Sequence, residues 1–193
     1  MLTLRSKGSD YHHGDLKTSA IAAGRELVAK GGVHALGIRK VADKIGVTPA
    51  ALYRHFADIS EFQGAISQTI RDELGEFMET KSRFAKNPNK KLQAIGGAYI
   101  DFAARNPRLF EMAFLWCGSS EPPEPEGKAW ELLQSGIKGL SNKRINGLDL
   151  ALWSLVHGFA TLVSQGTIGK SEFQRQRNLV LKSAEKLTES YLV

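Results

Sequence analysis

A chain of 193 residues, 42% apolar and 24% charged, can bury a core without disulfides or metal ions and is too apolar to be mainly disordered. A lone Cys117 excludes an internal disulfide, no apolar run approaches the ~20 residues of a membrane span, and the opening MLTLRSKGSDYHHGD has no apolar leader, so the reducing cytoplasm is the expected compartment. The net charge of +6 is uneven: residues 1–60 hold nine Lys and Arg against five Asp and Glu, which suits an anionic partner and fits a solvated basic face equally well.

Strand alternation is missing and helical periodicity runs along the whole chain, which predicts an all-α fold of about nine helices. Residues 1–13 read as a flexible arm. A first helix carries Leu16, Ala20, Ala23 and Leu27 on one stripe and stops at Gly31-Gly32. Short helices follow over Ile38 to Ile45 and Pro49 to His55. Asp58 and Glu61 have capping-box spacing and open a long helix with Ile59, Phe62, Ile66, Ile70, Leu74 and Phe77 inward. A fifth helix runs from Lys90 to Arg105, and Asn106-Pro107 breaks it and starts a sixth, reaching about Trp116. The run GSSEPPEPEG over 118–127 is a loop, followed by a helix near Lys128 to Leu140. Leu148 to about Gly166 is apolar on most sides and is expected to be buried on most sides. Ser171 and Gln174 read as a capping box for the last helix, with Val180, Ala184, Leu187 and Tyr191 on one face.

The stretch from Ile38 to Phe56 has the spacing of two helices about a glycine turn. Ala42 lets the second helix cross closely, and Gly46 takes the positive φ of the turn. Val47 plugs the space between the helices, Thr48 caps the second helix and Pro49 suits its first turn. With Leu52 and Phe56 inward, Thr48, Ala50, Ala51, Tyr53, Arg54 and His55 are expected outside. A recognition helix offers such N-terminal residues to base edges in a DNA major groove, while hydroxyl and imidazole groups suit phosphates. Arg54 suits guanine or phosphate. The spacing alone also fits a plain helical corner.

Ile38 to Phe56, with Leu-Tyr-Arg-His-Phe at 52–56 as its most specific part, resembles the DNA-binding domain of TetR-family transcriptional regulators. The resemblance runs from about Asp15 to Ile70. It implies an all-helical homodimer with a DNA-binding domain over 14–74 and a ligand-binding and dimerisation domain over 75–193. It implies a repressor released by a small molecule from a near-palindromic double-stranded DNA operator. The sequence has no GxSxG, P-loop, GxGxxG or HExxH motif, so no enzymatic activity, cofactor or metal site is expected, and without an apolar span no membrane partner. Position by position, Tyr53 and His55 match the family's phosphate contacts, and Thr48, Ala50 and Ala51 match groove-facing positions. Ile59 stands where the family usually has Lys, so Arg39, Lys40 or the arm's Arg5 and Lys7 are the candidate replacements. A helix-turn-helix protein controlled by a protein partner instead of a ligand remains the alternative.

Leu152-Trp153-Ser154-Leu155-Val156-His157-Gly158-Phe159 resembles the Trp-His-Gly signature of one C-terminal subgroup, the WHG domains. Tyr99, Phe102, Phe114, Trp116, Trp130, Trp153 and His157 are the candidate lining of a site for an apolar or aromatic effector, since such pockets combine apolar walls with a few polar groups. The same aromatics fit an ordinary core. The resemblance puts the dimer seam on the last two helices, with Leu155, Phe159, Val180, Leu187 and Tyr191 as its candidate residues and Gly158 as a point of close helix approach.

Overall fold

The computed structural model describes residues 16–115, 126–141 and 145–192. The expected arm, Trp116 and Cys117 lie outside the described residues. Among those described, nine α-helices and one 3-10 turn form the whole architecture: α1 (Leu16–Gly31), the turn (Val33–Ala35), α2 (Ile38–Ile45), α3 (Pro49–Tyr53), α4 (Ile59–Ser82), α5 (Pro88–Arg105), α6 (Pro107–Ala113), α7 (Lys128–Lys138), α8 (Leu148–Ser164) and α9 (Lys170–Leu192).

The N-terminal helices are held by small local devices. Gly46 closes α2 at φ 74°, a left-handed conformation that glycine takes without a Cβ penalty. Thr48 caps α3, its hydroxyl accepting from the Ala51 N–H at 3.3 Å, and Pro49 occupies the first turn. Leu52 and Phe56 then anchor the pair, both essentially fully buried, and the Phe56 ring lies 4.7 Å from Phe62. At the start of α4, Asp58 accepts from the Glu61 N–H at 2.9 Å, and the Glu61 carboxylate reaches back to the Ala57 N–H at 2.6 Å.

Long α4 joins the head to the rest. Gly24 lets α1 cross it closely, because a Cβ there would stand 2.5 Å from Ile66 Cδ1. Arg25 holds Glu73 through two hydrogen bonds of 2.6 and 2.7 Å. Further along, α4 packs on α5, α6 and α7. Two α4 side chains donate to carbonyls at the end of α6: the buried Ser67 hydroxyl to Met112 O at 2.7 Å, beside the Leu115 N–H at 3.3 Å, and Arg71 to Ala113 O at 2.9 Å. At the opposite side of α6, Arg108 donates to the Lys30 carbonyl at the end of α1.

Several expectations are corrected. The sixth helix ends at Ala113, not near Trp116, and the fifth starts at Pro88 because Asn87 caps it through the Lys90 N–H at 2.9 Å. The last helix starts at Lys170, with the Glu172 and Phe173 N–H groups closing on Gly169 O at 3.0 Å, so Ser171 lies inside the helix and not at its cap. Helix α8 buries one face only: Leu148, Leu152, Val156, Phe159 and Ala160 point inward, whereas Leu150 and Leu162 are exposed. Its high apolar content therefore overstates its burial within one chain. Gly158 is exposed with open space around it, and among the described residues no helix approaches there. Besides Gly24, close approaches occur at Gly75, where a Cβ would stand 2.7 Å from Lys128, and at Gly97 and Gly136, where it would stand 2.6 Å from Arg177 and from Leu92.

Candidate functional site

The outer face of α2 and α3 carries a cationic, partly aromatic surface. Arg39, Lys40, Thr48, Ala50, Tyr53 and Arg54 are exposed, Tyr53 by 54%, and His55 is half-buried. Among the described residues, Arg39, Lys40 and Arg54 have no carboxylate partner, whereas Lys44 is paired with Glu26 at 3.0 Å. One expectation fails here. Ala51 is 8% exposed and belongs to the core, because α3 is a short helix and its inward face takes Ala51 together with Leu52. Ile59 stands 37% exposed at the first position of α4.

Beneath this head lies a partly open cavity of about 1110 Å³, bounded by α4, α5, α7, α8 and α9. Sites for small molecules span roughly 300–1,000 Å³, so it has room for a substantial ligand. Of the aromatic candidates, Tyr99, Phe114, Trp130 and Trp153 line it. Phe102 does not: it is buried against Phe77, with ring centroids 6.1 Å apart. His157 stands behind the wall as the partner of Tyr99, whose hydroxyl lies 2.7 Å from its Nδ1.

The environment of this pair fixes its protonation. Burial pushes the Tyr99 hydroxyl far above its ordinary range, with the Trp153 indole as a smaller opposing influence. Burial among Phe110, Phe114 and Trp153 pushes the His157 imidazole down, toward its neutral form. The neutral phenol and the imidazole Nδ1 share one hydrogen bond, whose donor follows from the tautomer of the ring. The pair holds Tyr99 at a fixed angle in the cavity wall. Aliphatic lining escaped the sequence reading: Leu152, Val156 and Leu181 complete the wall, and Gly96 faces Leu181 and Val156 with little space to spare. The signal was Gly96-Gly97 inside a helix, where each glycine costs about 1 kcal/mol relative to alanine and so points to a packing reason.

The residues expected at a seam between copies divide. Phe159 is 7% exposed and already part of this chain's core, and Val180 packs against that core. Leu187 packs with Ile137, Leu148 and Leu152, and Leu155 is half-buried. Tyr191 is exposed, and so are Leu150, Leu162 and Leu179, which the sequence reading did not single out.

Residues 20–65 match the family described as bacterial regulatory proteins, tetR family, and residues 92–180 match the tetracyclin repressor-like C-terminal domain. The chain belongs to the TetR family. This TetR regulator is 24% identical over 171 residues to the HTH-type transcriptional regulator YobS of Bacillus subtilis, covering 83% of this chain and 82% of YobS. It is 25% identical over 108 residues to the HTH-type transcriptional activator FasR of Mycolicibacterium smegmatis, covering 56% of this chain and 49% of FasR, so the match spans about half the length of that relative. Among solved structures, a Rhodococcus sp. RHA1 protein superimposes with a TM-score of 0.69 at 21% identity, covering 95% of this chain and 98% of that one. RolR in complex with resorcinol superimposes with a TM-score of 0.59 at 15% identity, covering 93% and 94% of the two chains. Such likenesses establish a shared fold. TetR proteins are helix-turn-helix DNA-binding transcription regulators and not enzymes, and α2 with α3 is the helix-turn-helix of this one.

Proposed function

We propose that this regulator is a repressor that leaves its operator when an apolar or aromatic small molecule enters the cavity. The observation that carries the reading is that α4 serves both ends: it begins six residues after the last residue of α3 and forms a wall of the cavity. A ligand that alters the tilt of α4 alters where α3 points. It does so only through different affinities for the two arrangements. The complex of RolR with resorcinol supports a small aromatic effector by analogy of fold. The Trp153, His157 and Gly158 run supports assignment to the WHG subgroup, and the domain division at about residue 74 places the change-over within α4.

On the head, Tyr53 and His55 take phosphates, Thr48, Ala50 and Arg54 face the groove, and Arg39 and Lys40 add sequence-independent attraction. The protein acts as a homodimer through α8 and α9, whose exposed Leu150, Leu162, Leu179, Tyr191 and Leu192 are the uncovered large apolar side chains of those helices. Two copies then read a near-palindromic site with half-sites about 34–36 Å apart or a multiple of that.

The deciding experiment is an unbiased selection of bound DNA from a random duplex pool at physiological salt. One palindrome-like motif is the expected recovery, and a promoter bearing it should be silenced by the protein. Recovery of no motif, with binding that disappears as salt rises, refutes sequence-specific regulation. Stimulation of the promoter refutes repression and aligns the protein with an activator, as FasR is named.

A further inference from the structure

The charge of the cavity lining is one-sided. Asp58, Glu61, Asp72, Glu126, Glu185 and Glu189 line it, against two cations, Arg71 and Lys128. Lys128 is paired with Glu79 at 2.7 Å. Arg71 donates to two neutral acceptors, Ala113 O at 2.9 Å and Gln68 Oε1 at 2.6 Å, and has no carboxylate partner among the described residues. Three of the carboxylates are also engaged: Asp58 with the Glu61 N–H, Glu61 with the Ala57 N–H, and Asp72 with the Gln68 amide. Glu185 and Glu189 meet no cation and no hydrogen-bond donor among the described residues, although Glu185 is half-buried. They stand one turn apart on α9, on the face that supplies Leu181 and Thr188 to the same lining.

The remaining walls are aromatic. Trp130 and Trp153 meet edge to face at 5.9 Å, beside Tyr99 and Phe114. Aromatic faces attract cations, and most strongly where water is excluded. An anion entering this space would give up its hydration and meet six carboxylates against one cation without a carboxylate partner, Arg71. We propose that the cavity takes an organic cation: an amine or quaternary ammonium on an apolar body, its charge toward Glu185 and Glu189 and its body against the two tryptophans. This assignment rests on the effector reading above and adds the charge of the effector to it.

Calorimetric titration of the whole protein with three naphthalene probes tests it. The probes are (1-naphthylmethyl)trimethylammonium, 1-naphthalenemethanol and 1-naphthaleneacetate. The ammonium should bind about tenfold more tightly than the alcohol, and the acetate more weakly than either. Combining Glu185→Gln with Glu189→Gln should erase the ammonium's advantage and leave the alcohol's affinity within about twofold, which also shows that the cavity is intact. Acetate binding as tightly as the ammonium overturns the proposal, as does an ammonium preference that survives both substitutions. If the alcohol binds with no preference for the cation, the effector reading stands and the cationic assignment falls. If none of the three binds, the effector reading falls and takes this assignment with it.

Discussion

Two serines on α4 are buried almost equally, yet removing their hydroxyls should have different consequences. Ser67, 2% exposed, donates to Met112 O across the α4–α6 interface at 2.7 Å. Ser82, 3% exposed, reaches only Glu79 O in its own helix, at 3.4 Å. Ser67→Ala leaves the Met112 carbonyl with backbone donors alone, the Leu115 N–H at 3.3 Å among them, and Met112 itself is fully buried. A buried acceptor that loses its better bond costs about 1–2 kcal/mol, and the better helix propensity of alanine returns roughly 0.5. The expected net loss for Ser67→Ala is therefore about 0.5–1.5 kcal/mol. Ser82→Ala gives up a long, poorly placed bond whose carbonyl is near the helix end, and the propensity gain roughly offsets it. Urea unfolding, at one protein concentration for all variants, measures both. With a slope of about 2–3 kcal/mol per molar, Ser67→Ala should lower the midpoint by roughly 0.5 M, and Ser82→Ala by less than about 0.2 M. Equal midpoint shifts would refute the view that the cross-helix bond, and not burial alone, ties α6 to α4.

The Arg177–Asp101 pair joins α9 to α5 through bonds of 2.7 and 2.9 Å with side chains 19% and 28% exposed, between the exposed and buried regimes. A double-mutant cycle with Asp101→Asn and Arg177→Met should give a coupling of about 1–2 kcal/mol, and additivity within about 0.3 would refute it. His157 is held below its ordinary 6.5 by burial, so the unfolded chain takes up its proton first; the stabilisation is complete above about pH 6.5 and drains away as pH falls toward the folded value. Melting temperature should therefore fall between pH 7.5 and 5.5 and fall less in His157→Gln, whereas Glu26 and Glu79, held low by Lys44 and Lys128, respond only below about 4.5. Ile59→Lys should tighten operator binding and steepen the dependence of log affinity on log salt by about 0.9 per protomer, and an unchanged slope would place the start of α4 away from the phosphates.

The head was legible in the sequence because each of its parts has a local cause. Gly46, Thr48, Pro49, Leu52 and Phe56 lie within eleven residues, and each acts on a neighbour a turn away. Ala51 was misplaced because three or four positions of a single helical turn do not settle which of two adjacent alanines faces inward. Farther along, the causes are distant. Tyr99 and His157 are 58 positions apart, and only the rotation of α8 against α5 brings them together. The same holds for the division between core and cavity: Phe102 and Phe114 are alike as residues, but Phe102 lies on α5 under α4 and Phe114 just past the end of α6 in the cavity wall. Apolar content misled for α8, where Leu150 and Leu162 remain uncovered in the single chain.

The anchoring of α3 has a consequence for divergence among such regulators. Its grip on the protein comes from Ala51, Leu52 and Phe56, whereas Ala50, Tyr53 and Arg54 face solvent. Exposed substitutions of that kind typically change stability by no more than about 0.5 kcal/mol. Selection can therefore redraw the reading face two or three side chains at a time without endangering the fold beneath it. A duplicated copy of this gene would be free to acquire a new operator while keeping the old cavity, or to acquire a new effector while keeping the old operator.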